Sequence, residues 1–281
     1  MAKQELALDV EYPPKNTWIA DACTRATAST KRFLISDRWI SFIIPTALIL
    51  LWISASHYRW IPPQILPAPS IVFATLGELF ADGTIYEHTL ISFSRVLLGV
   101  LIGGGIGLLL GFSMGLSRHI NDIVGPTFRA LALVPKLGWI PLLILLVGLD
   151  EALKITSIAI GAAVPVALNT LQSIRNIPNR YLETAQVLGL SGYKYLIKVV
   201  LPSSLPGVIT GFVLAFSFGW KALIAVELLA SSEGLGFLMV WGRQLFQMDI
   251  VLAAVIVIGV IGFILDKLLL KISSRLLNWL K

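Results

Sequence analysis

Charged side chains inside long apolar runs are the residues of this sequence best suited to act on a small ion. Lys136, Lys221 and Glu227 stand in otherwise apolar stretches, where a charge is costly and commonly serves a function. A lysine ammonium in such a place could attract an anion that moves along a pathway. Lys221 and Glu227 are six residues apart, about 240° around a helix, so they are not expected to face each other.

Each of these charges also has a second interpretation. The aliphatic side chain of Lys136 could instead extend so that its ammonium reaches the polar boundary at the nearer end of the apolar run. Lys221 or Glu227 could pair across a subunit interface instead of facing a pathway. Arg95, at the start of another apolar run, is predicted to anchor that run at an interface. Lys136, Lys221 and Glu227 are therefore candidate pathway residues, with these alternatives open.

The apolar runs that carry the charges indicate a membrane protein. Of the 281 residues, 56% are hydrophobic and 14% are charged, whereas soluble domains carry about 25% charged residues. A membrane-spanning helix needs about 20 apolar residues. We predict an all-α membrane protein in which a tail, 1–38, precedes a transmembrane domain, 39–281. The tail is either disordered or contains a helix that lies on the membrane surface. The six predicted spans are 39–56, 91–114, 130–149, 152–174, 207–230 and 250–270.

The distribution of lysine and arginine predicts the orientation of these spans. If the N-terminus is cytoplasmic, 16 of the 22 Lys and Arg residues fall in cytoplasmic segments and three, Arg59, Lys154 and Arg243, fall in outer loops. Basic residues concentrate on the cytoplasmic side of membrane proteins. Both termini are therefore predicted to be cytoplasmic. The net charge of +6 follows from this distribution and does not indicate nucleic-acid binding.

The second span carries a regular series of glycines. Residues four apart lie on nearly the same face of a helix, and small residues allow membrane helices to approach closely. We predict that this face is a helix-packing surface, which could be static or could slide during gating. Its members are Gly99, Gly103, Gly107, Gly111 and Gly115.

A polar segment, 179–202, interrupts the apolar pattern between the fourth and fifth spans. It contains the spacing E-x-A-x3-G-x9-V-x-L-P, which starts at Glu183 and ends at Pro202. Good helix formers precede Gly189, which stands where a helix would end, and Ser191 begins a turn. A second helical stretch follows. Proline disfavours a helix that continues through it, so Leu201-Pro202 is predicted to mark the re-entry into the membrane. We call residues 179–202 the elbow.

The spacing in the elbow resembles the cytoplasmic EAA loop of the permease subunits of ABC importers, with Thr184 and Val199 as small departures. Further similar motifs are Leu66-Pro67-Ala68-Pro69-Ser70, Trp139-Ile140-Pro141-Leu142 and Gly234-Leu235-Gly236-Phe237. Together they resemble the nitrate, sulfonate, taurine and bicarbonate group of these permeases over roughly residues 39–280. The resemblance is greatest to the aliphatic-sulfonate members. Nitrate members carry extra residues in the first outer loop, which is short here, and this favours a sulfonate.

The resemblance implies a permease of the cell inner membrane that has the type I importer fold and forms a homodimer. Its implied partners are two ABC ATPase subunits and a periplasmic or lipid-tethered solute-binding protein. In that family the segment that corresponds to the elbow couples the permease to the ATPase. Glu183 would cap or pair at its base, Gly189 would allow close approach, and Leu190, Ser191 and Tyr193 would meet the ATPase. The matching coupling residues are Glu183, Ala185, Gly189, Leu190, Ser191, Tyr193, Leu201 and Pro202.

The resemblance does not imply an enzyme. The sequence has no phosphate-binding G-x-x-x-x-G-K-[ST], so Mg-ATP is expected on the partner subunits and no cofactor or metal in this chain. A membrane hydrolase is a weaker alternative, since no H-E-x-x-H occurs and no histidine falls in a predicted span. The main alternative is a secondary transporter or channel for a small anion without an ATPase. The identity of the solute stays open among sulfonate, nitrate, bicarbonate and taurine.

Overall fold

The computed structural model describes residues 42–278, except for the side chains of residues 136 and 137. The predicted tail, 1–38, and the first residues of the first predicted span lie outside the described residues. All regular elements within them are helical. The first described helix, α1 (Phe42–His57), is apolar and belongs to a unit that ends at Ile61.

The second unit begins at Pro62 and contains the remaining helices. A 3-10 turn, Lys136–Trp139, lies between α4 and α5, and a π-helical turn, Leu196–Val200, lies between α8 and α9. The helices are α2 (Pro69–Ala81), α3 (Thr84–Leu116), α4 (Arg118–Leu133), α5 (Ile140–Val147), α6 (Glu151–Arg175), α7 (Asn179–Val187), α8 (Gly192–Tyr195), α9 (Leu201–Ala230), α10 (Leu235–Gln244) and α11 (Met248–Leu276).

Four of the predicted spans correspond to helices that are long and apolar enough to cross a membrane. These are α3, α6, α11 and the helical stretch within Gly192–Gln244 that contains α9. The prediction of a single helix over 130–149 is wrong. Val134 leaves the helical conformation, with φ −66° and ψ 127°, because the ring of Pro135 disfavours helical geometry in the residue before it. By contrast, Pro165 is accommodated inside α6.

The five glycines of the predicted series in α3 lie against α6. A Cβ atom added to Gly103 would stand 2.6 Å from the Cα of Ala159, and one added to Gly107 would stand 3.0 Å from the Cα of Ala163. At Gly99 the neighbour is the Ile158 side chain, at 2.6 Å. The same close approach recurs at the two remaining positions of the series, Gly111 against Ala167 and Gly115 against Ile174. We call this contact the glycine seam.

The other side of α6 packs against α9. A Cβ atom on Gly211 of α9 would stand 3.0 Å from the Cα of Val166, so this contact is also close. Where α3, α6 and α9 meet, Val100, Ile158 and Leu223 are completely buried. The three helices therefore form the packed centre of this unit.

Candidate functional site: the elbow and the charge cluster

The first half of the elbow is a short helix that ends in a specific hydrogen-bonded cap. Gly189 adopts a left-handed conformation, with φ 65°. Its backbone N–H donates to Gln186 O at 3.0 Å, and the N–H of Leu190 donates to Ala185 O at 2.9 Å. This pair of bonds is a Schellman motif, in which the residue after the helix needs a positive φ that glycine adopts without strain. The spacing from Ala185 to Gly189 is thus the spacing of a helix cap.

The second half of the elbow continues into the next span without a break. Ser191 and Gly192 form the turn, and helical backbone then runs from α8 through the π-helical turn into α9. The prediction that Pro202 interrupts the helix is therefore wrong. Pro202 stands at the beginning of α9, and the wider turn before it accommodates a residue that cannot donate the usual backbone hydrogen bond.

The base of the elbow is anchored in an apolar cluster. Ile174, Ile177 and Val200 are buried together at the point where α6 ends and α9 approaches. The side chains packed around them are Phe112 of α3, Leu182 of α7, Tyr195 of α8 and Leu196 of the π-helical turn. Ala185 is also buried, at 2% exposure. Because these contacts join the elbow to both α3 and α6, it is a rigid extension of the helices rather than a loose loop.

The tip of the elbow is exposed and apolar. Val187 and Leu188 are 87% and 67% exposed, and Tyr193 is 76% exposed. Of the three residues predicted to meet a partner, Tyr193 and Ser191 are exposed and Leu190 is half-buried. The sequence pattern missed Val187 and Leu188, because it did not show which face of α7 points outward. Glu183 is exposed, and no residue that the structure describes offers it an ion pair.

A second site, which sequence reasoning did not find, lies at the opposite ends of the same helices. Arg95 of α3 is 2% exposed. Its Nε and Nη2 donate to the two carboxylate oxygens of Glu151 of α6, both at 2.6 Å. Its Nη1 donates to Glu227 of α9 at 2.7 Å. One guanidinium therefore joins three helices, and the prediction that Arg95 is an interfacial anchor is wrong.

Glu227 is the most deeply buried charged residue of this second site. It is 1% exposed and accepts hydrogen bonds from Ser92 Oγ at 2.9 and 3.0 Å and from the backbone N–H of Gly236 at 2.9 Å. Buried charges persist only where pairing and hydrogen bonds replace water. Glu227, a candidate pathway residue, is thus paired within the chain, and a pathway role for it stays a prediction.

The turn between α9 and α10 is held by hydrogen bonds to side chains of α3. The N–H of Leu235 donates to Ser92 Oγ at 3.0 Å, and the N–H of Gly234 donates to Nδ1 of His88 at 2.9 Å. His88 lies within α3, just before the second predicted span, 91–114. Lys154 donates to Glu151 at 2.6 Å. We define the charge cluster as Ser92, Arg95, Glu151, Lys154 and Glu227.

The two lysines predicted to attract an anion are placed differently. Lys221 of α9 is exposed and lies over the ring of Phe218, with Nζ 5.8 Å from the ring centre. It does not join the charge cluster. The backbone of Lys136 is in the 3-10 turn, and its side chain lies outside the described part of the chain, so its pathway role stays a prediction.

One short pattern resembles the nucleophile motif of hydrolases, which sequence reasoning overlooked. Gly111-Phe112-Ser113-Met114-Gly115 matches G-x-S-x-G, but the motif requires a sharp turn between a strand and a helix. Here it lies inside α3, and Ser113 Oγ donates to Leu109 O at 2.7 Å. The serine is therefore not presented as a nucleophile.

Comparison with known families identifies the chain. The family model for the binding-protein-dependent transport system inner membrane component matches residues 103–278, which include the elbow, the C-terminal part of α3 and the whole of α6 and α9. The chain belongs to this family. Members of this permease family are transport components and are not themselves catalytic.

Relatives of this permease match most of its length. A Bacillus subtilis protein named as a transport permease for aliphatic sulfonates is 34% identical over 237 residues, which are 84% of this chain and 86% of the relative. The taurine transport system permease protein of Escherichia coli is 32% identical over 250 residues, 86% and 91% of the two chains. The resemblance predicted from the motifs is confirmed.

A solved structure supports the same fold. The crystal structure of an amino acid ABC transporter superposes with a TM-score of 0.61 at 16% identity, over 71% of this permease and 97% of that chain. At this identity the likeness shows the fold alone. The prediction of an all-α membrane protein with the fold of ABC importer permeases is confirmed.

Proposed function

We propose that this chain is the membrane-spanning subunit of an ATP-driven importer for a small anion, a sulfonate first of all. Two copies would form the pathway, and two ABC ATPases would bind on the cytoplasmic side. A solute-binding protein, periplasmic or lipid-tethered, would deliver the solute from the outer side. The elbow is the observation that carries this proposal. It contains a short capped helix, an exposed apolar tip and a base that packs against α3 and α6.

The exposed tip is the proposed contact with the ATPase. Exposed apolar side chains that cluster on one surface are typical of a protein interface, and Val187, Leu188 and Tyr193 are such side chains. The sequence has no phosphate loop, so ATP and its magnesium ion would be held by the partner. Closure of two ATPases would move the elbows, and the anchored base would carry that movement into α3 and α6.

This contact requires that the elbow faces the cytoplasm. The lysine and arginine distribution supports that orientation, with both termini cytoplasmic. The same orientation puts the charge cluster toward the outer face, since α6 begins and α9 ends there. Residues 1–38 would be a cytoplasmic tail before the transmembrane domain, 39–281.

The proposed solute is an aliphatic sulfonate. Two relatives are named for aliphatic sulfonates and for taurine, and taurine is itself a sulfonate. The short first outer loop agrees with this choice. Nitrate and bicarbonate are the other outcomes, and purified importer in vesicles distinguishes them. We expect ethanesulfonate, delivered by the binding protein, to stimulate ATP hydrolysis more than nitrate or bicarbonate does. Solute accumulation without ATP or an ATPase would instead indicate a secondary transporter or channel.

A substitution at the tip of the elbow tests the coupling role. Val187→Asp is expected to weaken capture of the ATPase by detergent-solubilised permease roughly thirtyfold or more, because a buried interface anchor is typically worth at least about 2 kcal/mol. Capture is measured by co-purification of the two subunits over a range of ATPase concentrations.

Phe246→Asp is the matched control for this experiment. Phe246 is 86% exposed, as Val187 is 87% exposed, and it lies outside the elbow, just before α11. Aspartate also tolerates its left-handed backbone, φ 57°. The control should bind the ATPase normally. Equal capture by Val187→Asp and the unmodified permease would contradict the proposed contact.

A further inference from the structure

Lys221 lines a small cavity that also contains a buried hydroxyl without a hydrogen-bond partner among the described residues. The cavity lies between the beginning of α5, α6 and α9 and has a volume of about 250 Å³. Its polar members are Lys221 and Ser157, and its apolar walls include Ile140, Phe218 and Val226. Ser157 is 9% exposed, and its hydroxyl has no hydrogen-bond partner among the described residues.

Neither polar group of this cavity has a hydrogen bond or an ion pair among the described residues, although the Lys221 ammonium lies over the Phe218 ring. A buried hydroxyl normally finds a partner, and a helical serine commonly bonds to the carbonyl four residues earlier. Ser157 does neither within the described residues. Lys221 stands nine residues before the end of α9, about 13 Å along the helix axis. A charge at that depth normally faces a protein interior or a water-filled cavity, yet Lys221 makes no ion pair with any described carboxylate.

Asp266 is the carboxylate that could compete for Lys221. It lines a neighbouring cavity together with Lys221, but it accepts a hydrogen bond from Ser217 at 3.4 Å and forms no ion pair with the lysine. The charge of Lys221 is therefore not paired with a described carboxylate in either of the two cavities that it lines. In contrast, the buried Arg95 has all its carboxylate partners in place, so the charge cluster offers no comparable vacancy for an anion.

We propose that Lys221 and Ser157 form a solute site inside the permease for a small organic anion of the sulfonate class. The ammonium would neutralise the head group, the hydroxyl would donate to one of its oxygens, and the short alkyl chain would lie on Phe218 and Val226. The cavity is smaller than the ~300–1,000 Å³ of drug-sized sites, as a small solute requires. This inference rests on the proposed import function.

The test is uptake of radiolabelled ethanesulfonate by vesicles that contain the complete importer, with saturating binding protein. ATP hydrolysis is measured in parallel. Lys221→Gln should lower uptake at least about tenfold, because a charge-assisted hydrogen bond is lost, while stimulated ATP hydrolysis changes less than about twofold. Ser157→Ala should lower uptake about three- to tenfold, and Lys221→Arg should retain most of it.

Lys267→Gln is the matched control. Lys267 is also an exposed lysine in a long apolar helix, with Nζ 5.6 Å from the ring centre of Phe263, but it does not line this cavity. It should transport normally. Undiminished uptake by Lys221→Gln, or loss of its assembly with the other subunits, would overturn the site. Failure of the unmodified importer to take up ethanesulfonate would instead refute the proposed solute.

Discussion

A leucine in place of Gly103 is expected to push α3 away from α6 and to destabilise the folded permease. The Cβ atom alone would stand 2.6 Å from the Cα of Ala159, and backbone cannot move aside as a flexible side chain can. Overpacking typically costs about 1–3 kcal/mol, and a clash with the backbone at the centre of two long helices should reach at least the upper end. At about 2–4 °C per kcal/mol, the apparent Tm in detergent should fall by about 10 °C.

Gly105→Leu separates this effect from a general effect of leucine in α3. Gly105 is on the same helix, and a Cβ atom added there has nothing within 4 Å. This variant should keep its apparent Tm, because leucine is a better helix former than glycine. Gly107→Leu should behave like Gly103→Leu, since its Cβ would stand 3.0 Å from the Cα of Ala163. Normal folding of both seam variants would show that α3 and α6 do not depend on the seam.

Arg95→Met is expected to lower the free energy of unfolding by about 3–5 kcal/mol, the usual cost of leaving a buried charge without its partner. Glu227 is 1% exposed and would keep only the hydrogen bonds from Ser92 and Gly236. The partly exposed Glu151 could still reach water and Lys154, so most of the loss should come from Glu227. Thermal unfolding in detergent and the yield of monodisperse permease measure the effect.

A second substitution tests this account of Arg95. Adding Glu227→Gln to Arg95→Met removes the unpaired buried charge, so the double variant should be more stable than Arg95→Met alone. Arg243→Met, which changes an exposed arginine, should alter the free energy of unfolding by less than about 0.5 kcal/mol. If the double variant is the less stable of the two, Glu227 is not the source of the loss.

The seam and the charge cluster together have a mechanical consequence. α3 and α6 are joined at one end by Arg95 and Glu151, along their length by glycines, and at the other end by Phe112 and Ile174 beneath the elbow. Close packing resists sliding, and the Arg95–Glu151 ion pair, buried on the arginine side, adds to this resistance. We therefore expect the two helices to move as one body when the elbow moves.

Local spacing in the sequence determined those features that depend on neighbours along the chain. Apolar runs of about 20 residues predicted the long helices α3, α6, α9 and α11, because a membrane span is defined by its own length and composition. The step from Ala185 to Gly189 predicted the end of α7, because a helix cap involves only consecutive residues. The family followed from the same local pattern.

Only the tertiary structure decided which distant residues meet. Arg95, Glu151 and Glu227 lie on three helices, and no local pattern links an arginine to carboxylates 56 and 132 residues away. The glycine spacing predicted a close contact but not that α6 would supply it. Likewise, the exposure of Val187 and the unpartnered hydroxyl of Ser157 depend on how helices are rotated about their axes. Rotation and partner choice are set by packing between helices, which the sequence of a single helix does not contain.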